Sequence, residues 1–305
     1  MKKILFLLIT LVTGAIVLYL ALQENKPDKK ISKENVAAAE KLIGFDFDER
    51  ERDTLLEDVR SLKKSYEKLR ENDIPNGLRP SLVFNPLPFG YLPPKQVDKP
   101  NWDLPAEVKL PGSDAGIAFL PVHKQAVLIR EGKLSSERLT RIYIDRLKQH
   151  SDTLECLVTL TENLALQQAR KADQEIAAGN YRGPLHGIPY GVKDLLSVEG
   201  FKTTWGATPY KNQVIDETAT VVKRLEEAGA VLVAKLTLGA LAMGDVWYGG
   251  VTRNPYDLEQ GSSGSSAGSA SATSAGLVAF ALGTETYGSI VSPSTRCGVS
   301  GLRPT

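Results

Sequence analysis

The chain has 305 residues, enough for one large domain or two modest ones. Hydrophobic residues make up 42% and charged residues 24%, an ordinary globular composition. A net charge of +1 gives no basic surplus to hold nucleic acid, and three histidines without an HExxH spacing offer little to a catalytic metal.

The first residues, "MKKILFLLITLVTGAIVLYLALQENKPDKK", place two lysines before an uncharged apolar run from Ile4 to Leu22. A run of this length just spans a bilayer core as a helix, and it ends without a small-x-small cleavage site. The expectation is an uncleaved signal anchor over residues 1–22, with a cleaved signal peptide as the alternative. Attachment to a membrane through this helix, or export, follows from it.

Residues 23–111 read as a polar tether, an amphipathic helix and a proline-rich arm. Leu55, Leu56, Val59, Leu62, Tyr66 and Leu69 recur at three- and four-residue spacing within a charged stretch from Glu34 to Asn72. The prolines between Ile74 and Pro111 preclude a regular helix there.

Residues 112–305 alternate between helix and strand and form the expected main domain. "SSERLTRIYIDRLKQH" opens on a serine cap, and "LALQQARKADQEIAAGN" closes on Gly179. "HGIPYGVKDLL" is a short β-prone run, while "TATVVKRLEEAGAVLVAKL" gives a helix, a break at Gly229 and a strand over 230–236. This alternation predicts an α/β fold around a largely buried sheet. Cys156 and Cys297 match no zinc or redox spacing and read as buried structural thiols.

"GSSGSSAGSASATSAG", residues 261–276, has a linker's composition. It runs directly into the apolar "LVAFALG" and a second Gly/Ser turn, as a linker does not. A small-residue helix followed by a strand brings the turn at Ser265 and the turn at Ser289 to one edge of the sheet. Upstream, Lys193 emerges from the apolar "YGVK", where desolvation favours its neutral, basic form.

Three stretches, "GPLHGIPYGVKD", "TRNPYDLEQGSSGSSAGSA" and "ALGTETYGSIVSPSTRCGVSGLRPT", are similar to the signature region of the amidase signature family. The resemblance runs from about Gly116 to Thr305. It implies a mixed central sheet flanked by helices on both faces, and a chain that stops before the family fold is complete. It further implies a Ser–cis-Ser–Lys triad with Ser289 as nucleophile, Ser265 as proton relay and Lys193 as general base. The backbone N–H groups of Thr286, Tyr287, Gly288 and Ser289 are the implied oxyanion hole.

The implied activity is hydrolysis of a C–N amide bond in a small molecule or peptide, through an acyl-enzyme. No metal, no organic cofactor and no nucleic-acid partner are implied. Alternatives are an A-subunit-like component of a tRNA-dependent amidotransferase, against which the anchor argues, and a catalytically eroded binding protein. Gly264–Gly268 also fits G-x-S-x-G with Ser266 as nucleophile, but no histidine follows His186 to complete that triad.

The second turn departs from the family pattern. Glu285 replaces an aspartate, Tyr287 a glycine and Val291 an arginine. Arg296 is expected to supply the lost charge to Glu285.

Overall fold

Secondary structure begins with two charged helices, α1 (Lys33–Ile43) and α2 (Glu49–Arg70). The computed structural model describes residues 31–75, 77, 78, 80–92 and 101–304. The chain divides into two compact units, Met1–Pro88 and Phe89–Thr305.

In the first unit the one amphipathic helix expected over 34–72 is two. Asp48 breaks it by capping α2: its carboxylate accepts from Glu51 N–H at 2.8 Å, and Glu51 accepts from Asp48 N–H at 2.8 Å. Arg52 then forks onto the buried Glu40 of α1, with contacts of 3.0 and 2.9 Å. Of the expected apolar stripe Leu56 is buried, whereas Leu62, Tyr66 and Leu69 stay exposed. Among the described residues between 74 and 111 there is neither helix nor strand, as the prolines require.

In the second unit α3 (Asp114–Ala118), α4 (Val122–Arg130) and α5 (Ser136–Leu154) lead into β1 (Leu157–Leu160). The Ser135 hydroxyl caps α5 by accepting from Arg138 N–H at 3.1 Å. Then follow α6 (Glu162–Ala177), β2 (Pro189–Lys193), α7 (Thr220–Glu227) and β3 (Val231–Leu236). Two short hairpins come next, β4 (Val246–Trp247) with β5 (Gly250–Val251), and β6 (Arg253–Asn254) with β7 (Asp257–Gly261). The second unit closes with α8 (Ala267–Ser274), β8 (Phe280–Leu282) and α9 (Val291–Arg296).

The central sheet has the order β1-β3-β2-β8. β1 is antiparallel to β3, whereas β2 runs parallel to both β3 and β8. It is a mixed sheet with helices on both faces. Val231 and Val233 of β3 pack with Ile144 and Leu147 of α5 and Ala165 of α6. Leu232, one residue over, packs with Tyr190 and Val192 of β2 and Val222 of α7 on the other face. That alternation is the period of two that a strand imposes. Residues 267–272 of the small-residue stretch are buried in α8 against the first face, so the run is a packed helix. Both cysteines are buried and unbonded.

One expectation is corrected by the fold. Among the described residues no helix is long and apolar enough to cross a membrane. α2, at 22 residues, is long enough for a bilayer core but carries charges along its length. The apolar run 4–22, on which the transmembrane signal anchor was expected, lies outside the described residues. Membrane attachment and an anchored or exported location are therefore not carried forward.

Candidate active site

β2 lies inside the sheet, between β3 and β8, and all five of its residues are buried. Its last residue, Lys193, is 0% exposed. Burial lowers its pKa from 10.5 to about 8, since water no longer solvates the ammonium. The Nζ sits 2.8 Å from Ser265 Oγ, 2.9 Å from Thr284 Oγ1, 3.2 Å from Ser266 Oγ and 3.3 Å from Thr284 O. A neutral amine has two N–H donors and one lone pair. Here Nζ donates to Ser265, Thr284 and Ser266; on losing a proton it would keep two of these donors and turn its lone pair to one hydroxyl.

Ser265 follows a cis peptide bond from Gly264 and is buried. Gly264 is required by close approach: a Cβ there would lie 1.8 Å from the Gly244 carbonyl oxygen. Next to it, Ser263 N–H donates to Asp245 at 2.9 Å and fixes the entry to the loop.

Ser266 joins the two turns. Its N–H donates to the Ser289 carbonyl at 3.0 Å, and its hydroxyl donates to Thr284 O at 3.1 Å while accepting from Thr284 N–H at 3.1 Å. It is 3% exposed. A buried hydroxyl so engaged is a brace, which leaves the Ser266-nucleophile reading without geometric support.

Ser289 is half-buried, and its Oγ makes no hydrogen bond among the described residues. Thus Lys193 and Ser265 meet directly, and a backbone contact places Ser289 beside Ser266. No hydrogen bond joins the Ser265 and Ser289 hydroxyls in this structure. The N–H groups of Thr286, Tyr287 and Ser289 likewise have no partner among the described residues, and Gly288 turns the chain at φ 80, a value that favours glycine. The Tyr287 side chain points to solvent, 97% exposed.

The charge partner expected for Glu285 is corrected. Arg296 donates instead to Gln260 Oε1 at 3.1 Å. Arg303 pairs with Glu285, Nε to Oε1 at 3.2 Å. The other carboxylate oxygen, Oε2, accepts from the N–H groups of Ile290 and Val291 at 2.7 and 2.9 Å. These backbone donors first, and Arg303 after them, hold the Glu285 carboxyl below the usual range. α9 carries Arg296 on the side of β7, so sequence proximity misled. His186 also takes a structural place: its Nδ1 accepts from Arg182 N–H at 3.1 Å and its Nε2 faces Glu175 at 3.1 Å.

The Amidase family description matches residues 138–305 of this chain, more than half of it. The chain belongs to the amidase family. The chain resembles native peptide amidase from Stenotrophomonas maltophilia at 38% identity and a TM-score of 0.58, over 62% of this chain and 40% of that one. It resembles fatty acid amide hydrolase at 26% identity and a TM-score of 0.57, over 60% and 33%. Among curated proteins, the glutamyl-tRNA(Gln) amidotransferase A-subunit of Thermoanaerobacter pseudethanolicus is 39% identical over 61% of this chain and 38% of its own length. The chain therefore spans about two fifths of the length of such relatives. That relative is one component of a larger enzyme by name, and no described helix crosses a membrane. The expected membrane partner is withdrawn.

Thr284, Lys235 and Arg303 escaped the sequence reading. Thr284 opens the "GTETYGS" turn and was legible as a polar residue beside the lysine once the strand order was known. Lys235 and Arg303 carried no local signal.

Proposed function

We propose that this chain carries the centre of a serine amidohydrolase, with Ser289 as nucleophile, Ser265 as relay and Lys193 as base. The observation that supports it most is a lysine of 0% exposure, with a pKa of about 8, whose Nζ lies 2.8 Å from Ser265. A serine hydroxyl is a weak nucleophile until a base takes its proton, and a desolvated lysine is such a base near neutral pH.

In the forward step Ser289 Oγ bonds to the amide carbonyl carbon. Its proton passes to Ser265 Oγ while the Ser265 proton passes to Lys193. The carbonyl electrons move onto oxygen, where the N–H groups of Thr286, Tyr287 and Ser289 receive the charge, while that of Gly288 is held by Glu285. One such donor is worth about 3 kcal/mol in the transition state. Collapse breaks the C–N bond, and Lys193 returns the proton through Ser265 to the leaving amine. Water then repeats the sequence on the acyl-enzyme and releases the acid. The substrate class is a small-molecule or peptide amide, in line with the names of the peptide amidase and fatty acid amide hydrolase it resembles. The proposed chemistry belongs to residues 112–305.

A second reading is favoured by the names of the curated relatives: the chain acts as one component of an amidotransferase assembly. Under it the same three side chains perform the amide cleavage, but only with a second protein component present.

Fluorophosphonate labelling of the full chain, followed by peptide mapping, tests the proposal. The label is expected on Ser289 and lost in Lys193→Ala. A label on Ser266, or none on a folded chain with or without a second component, overturns it.

A further inference from the structure

The mechanism uses one buried lysine, but the sheet holds two. Lys235 of β3 is also 0% exposed, as is Asp194, the residue after Lys193. Register pairs Val192 with Lys235 and Lys193 with Leu236, and Asp194 N–H extends the ladder by donating to Leu236 O at 2.8 Å. The position of a Cβ on Gly191 would be 2.4 Å from Leu236 Cδ1, which puts Leu236 on the face of Gly191 and Lys193. Asp194 and Lys235 are thus on the opposite face.

There Lys235 Nζ lies 2.8 Å from Asp194 Oδ1, 2.7 Å from Thr203 Oγ1 and in contact with Lys202 O. Asp194 Oδ2 accepts from Thr204 N–H at 2.8 Å and from the Thr204 hydroxyl. Lys235 thus donates to Thr203 Oγ1 and Lys202 O and ion-pairs with Asp194 Oδ1, an oxygen that accepts no hydrogen bond among the described residues, whereas Oδ2 accepts two. Two opposite charges this close in the interior each lower the cost of burying the other.

We propose that Asp194 and Lys235 form a positioning pair for Lys193: the pair clamps the end of β2 and neutralises Asp194 on the far face of the sheet. It rests on the reading of Lys193 as the base. Without Lys235, an unpaired carboxylate one residue from Lys193 would hold that lysine as ammonium and take away its lone pair. Without Asp194, an unpaired ammonium would have the reverse effect.

The other ionisable groups nearby do not replace this balance. β1, β8 and α8 carry no ionisable side chain. Lys202 directs its Nζ to Asn212 Oδ1 at 3.1 Å, and burial keeps the Tyr248 hydroxyl neutral. Asp245 accepts from Ser263 N–H, Glu155 from Val251 N–H, and Glu285 is taken by Arg303 and its own turn. Lys235 is pushed down by burial and back up by Asp194.

The test is the pH dependence of fluorophosphonate labelling of the full chain. In Lys235→Met the midpoint is expected to rise by about one pH unit, a loss of about tenfold in labelling rate below the midpoint with the alkaline plateau kept. In Asp194→Asn it is expected to fall, and in the Lys235→Met/Asp194→Asn double variant to return near the parent. Opposite shifts from the two single variants are what a merely structural role does not produce. Midpoints that stay at the parent value while the plateau drops overturn the pair. If Lys235→Met is insoluble, Asp194→Asn decides alone: a lower midpoint supports the proposal and an unmoved one overturns it.

Lysine-resolved carbon NMR on the unmutated chain gives an answer that needs neither variants nor labelling. Lys235 must keep its proton through the range in which Lys193 loses its own; simultaneous loss overturns the proposal. A parent chain that takes no label, yet shows the two lysines titrating apart, would fault the amidohydrolase reading and leave the pair standing.

Discussion

Lys193 is a residue whose burial carries both its chemistry and its cost. With a pKa of about 8, the labelling rate, and kcat/KM once a substrate is known, should rise with pH to a plateau above that value. A rate flat from pH 6 to 10 would remove Lys193 from the base role. The same burial enters stability. The folded chain releases this proton at about pH 8, whereas an unfolded lysine keeps it to about 10.5. Between those values the unfolded state binds more protons, so the contribution of Lys193 to stability increases with pH. The full span corresponds to about 3 kcal/mol. Denaturant unfolding of the parent and Lys193→Met, compared at pH 7.5 and 10.5, should show the parent gaining on the variant by that order. Apolar residues running up to a lysine made its desolvation legible in the sequence. Its acceptors at Thr284 were not, because they come from a residue 91 positions away.

The turn from Thr284 to Val291 is an element held by one carboxylate. Glu285→Gln or Arg303→Leu should cut labelling severalfold, as one side of the turn loses its partner; Arg296→Leu, whose guanidinium reaches only Gln260, should leave it within about twofold. The reverse ranking would restore the pairing that sequence proximity suggested. The carboxyl of Glu285 is held low, so its contribution is complete above about pH 4.5 and fades as pH falls through the lower folded value. Denaturant unfolding should show the stability gap between the parent and Glu285→Gln closing as pH falls through that value. Gly264→Ala belongs to the same scale: with 1.8 Å to the Gly244 carbonyl oxygen, the variant should lose labelling and soluble yield, and a normal variant would refute the close approach. Element types were legible here because caps, small-residue runs and β-prone stretches are local. The partner of a charge was not, because α9 turns Arg296 away while the chain returns Arg303 to the turn.

For the whole molecule, the alternation of helix and strand was enough to read an α/β fold, since periodicity is set by backbone geometry. The break between the first two helices was missed because the periodic residues, Leu55 to Leu69, all lie in α2, whereas Gly44 closes α1 at φ 75 and Asp48 opens α2. Strand order lay beyond a linear reading too: β2 has as neighbours two strands that come later in the chain, β3 and β8. That order has a kinetic side. The helices of the second unit need only neighbours in sequence, but Lys193 meets Ser265 across 72 residues and Thr284 across 91. Long parallel closures are slow relative to helix formation. In refolding from denaturant, far-UV helical signal should therefore return first and reactive-serine labelling later, together with burial of the last strand. On the proposed mechanism the reactive centre exists only once the sheet has closed, so a partly folded form that keeps its helices should take no label.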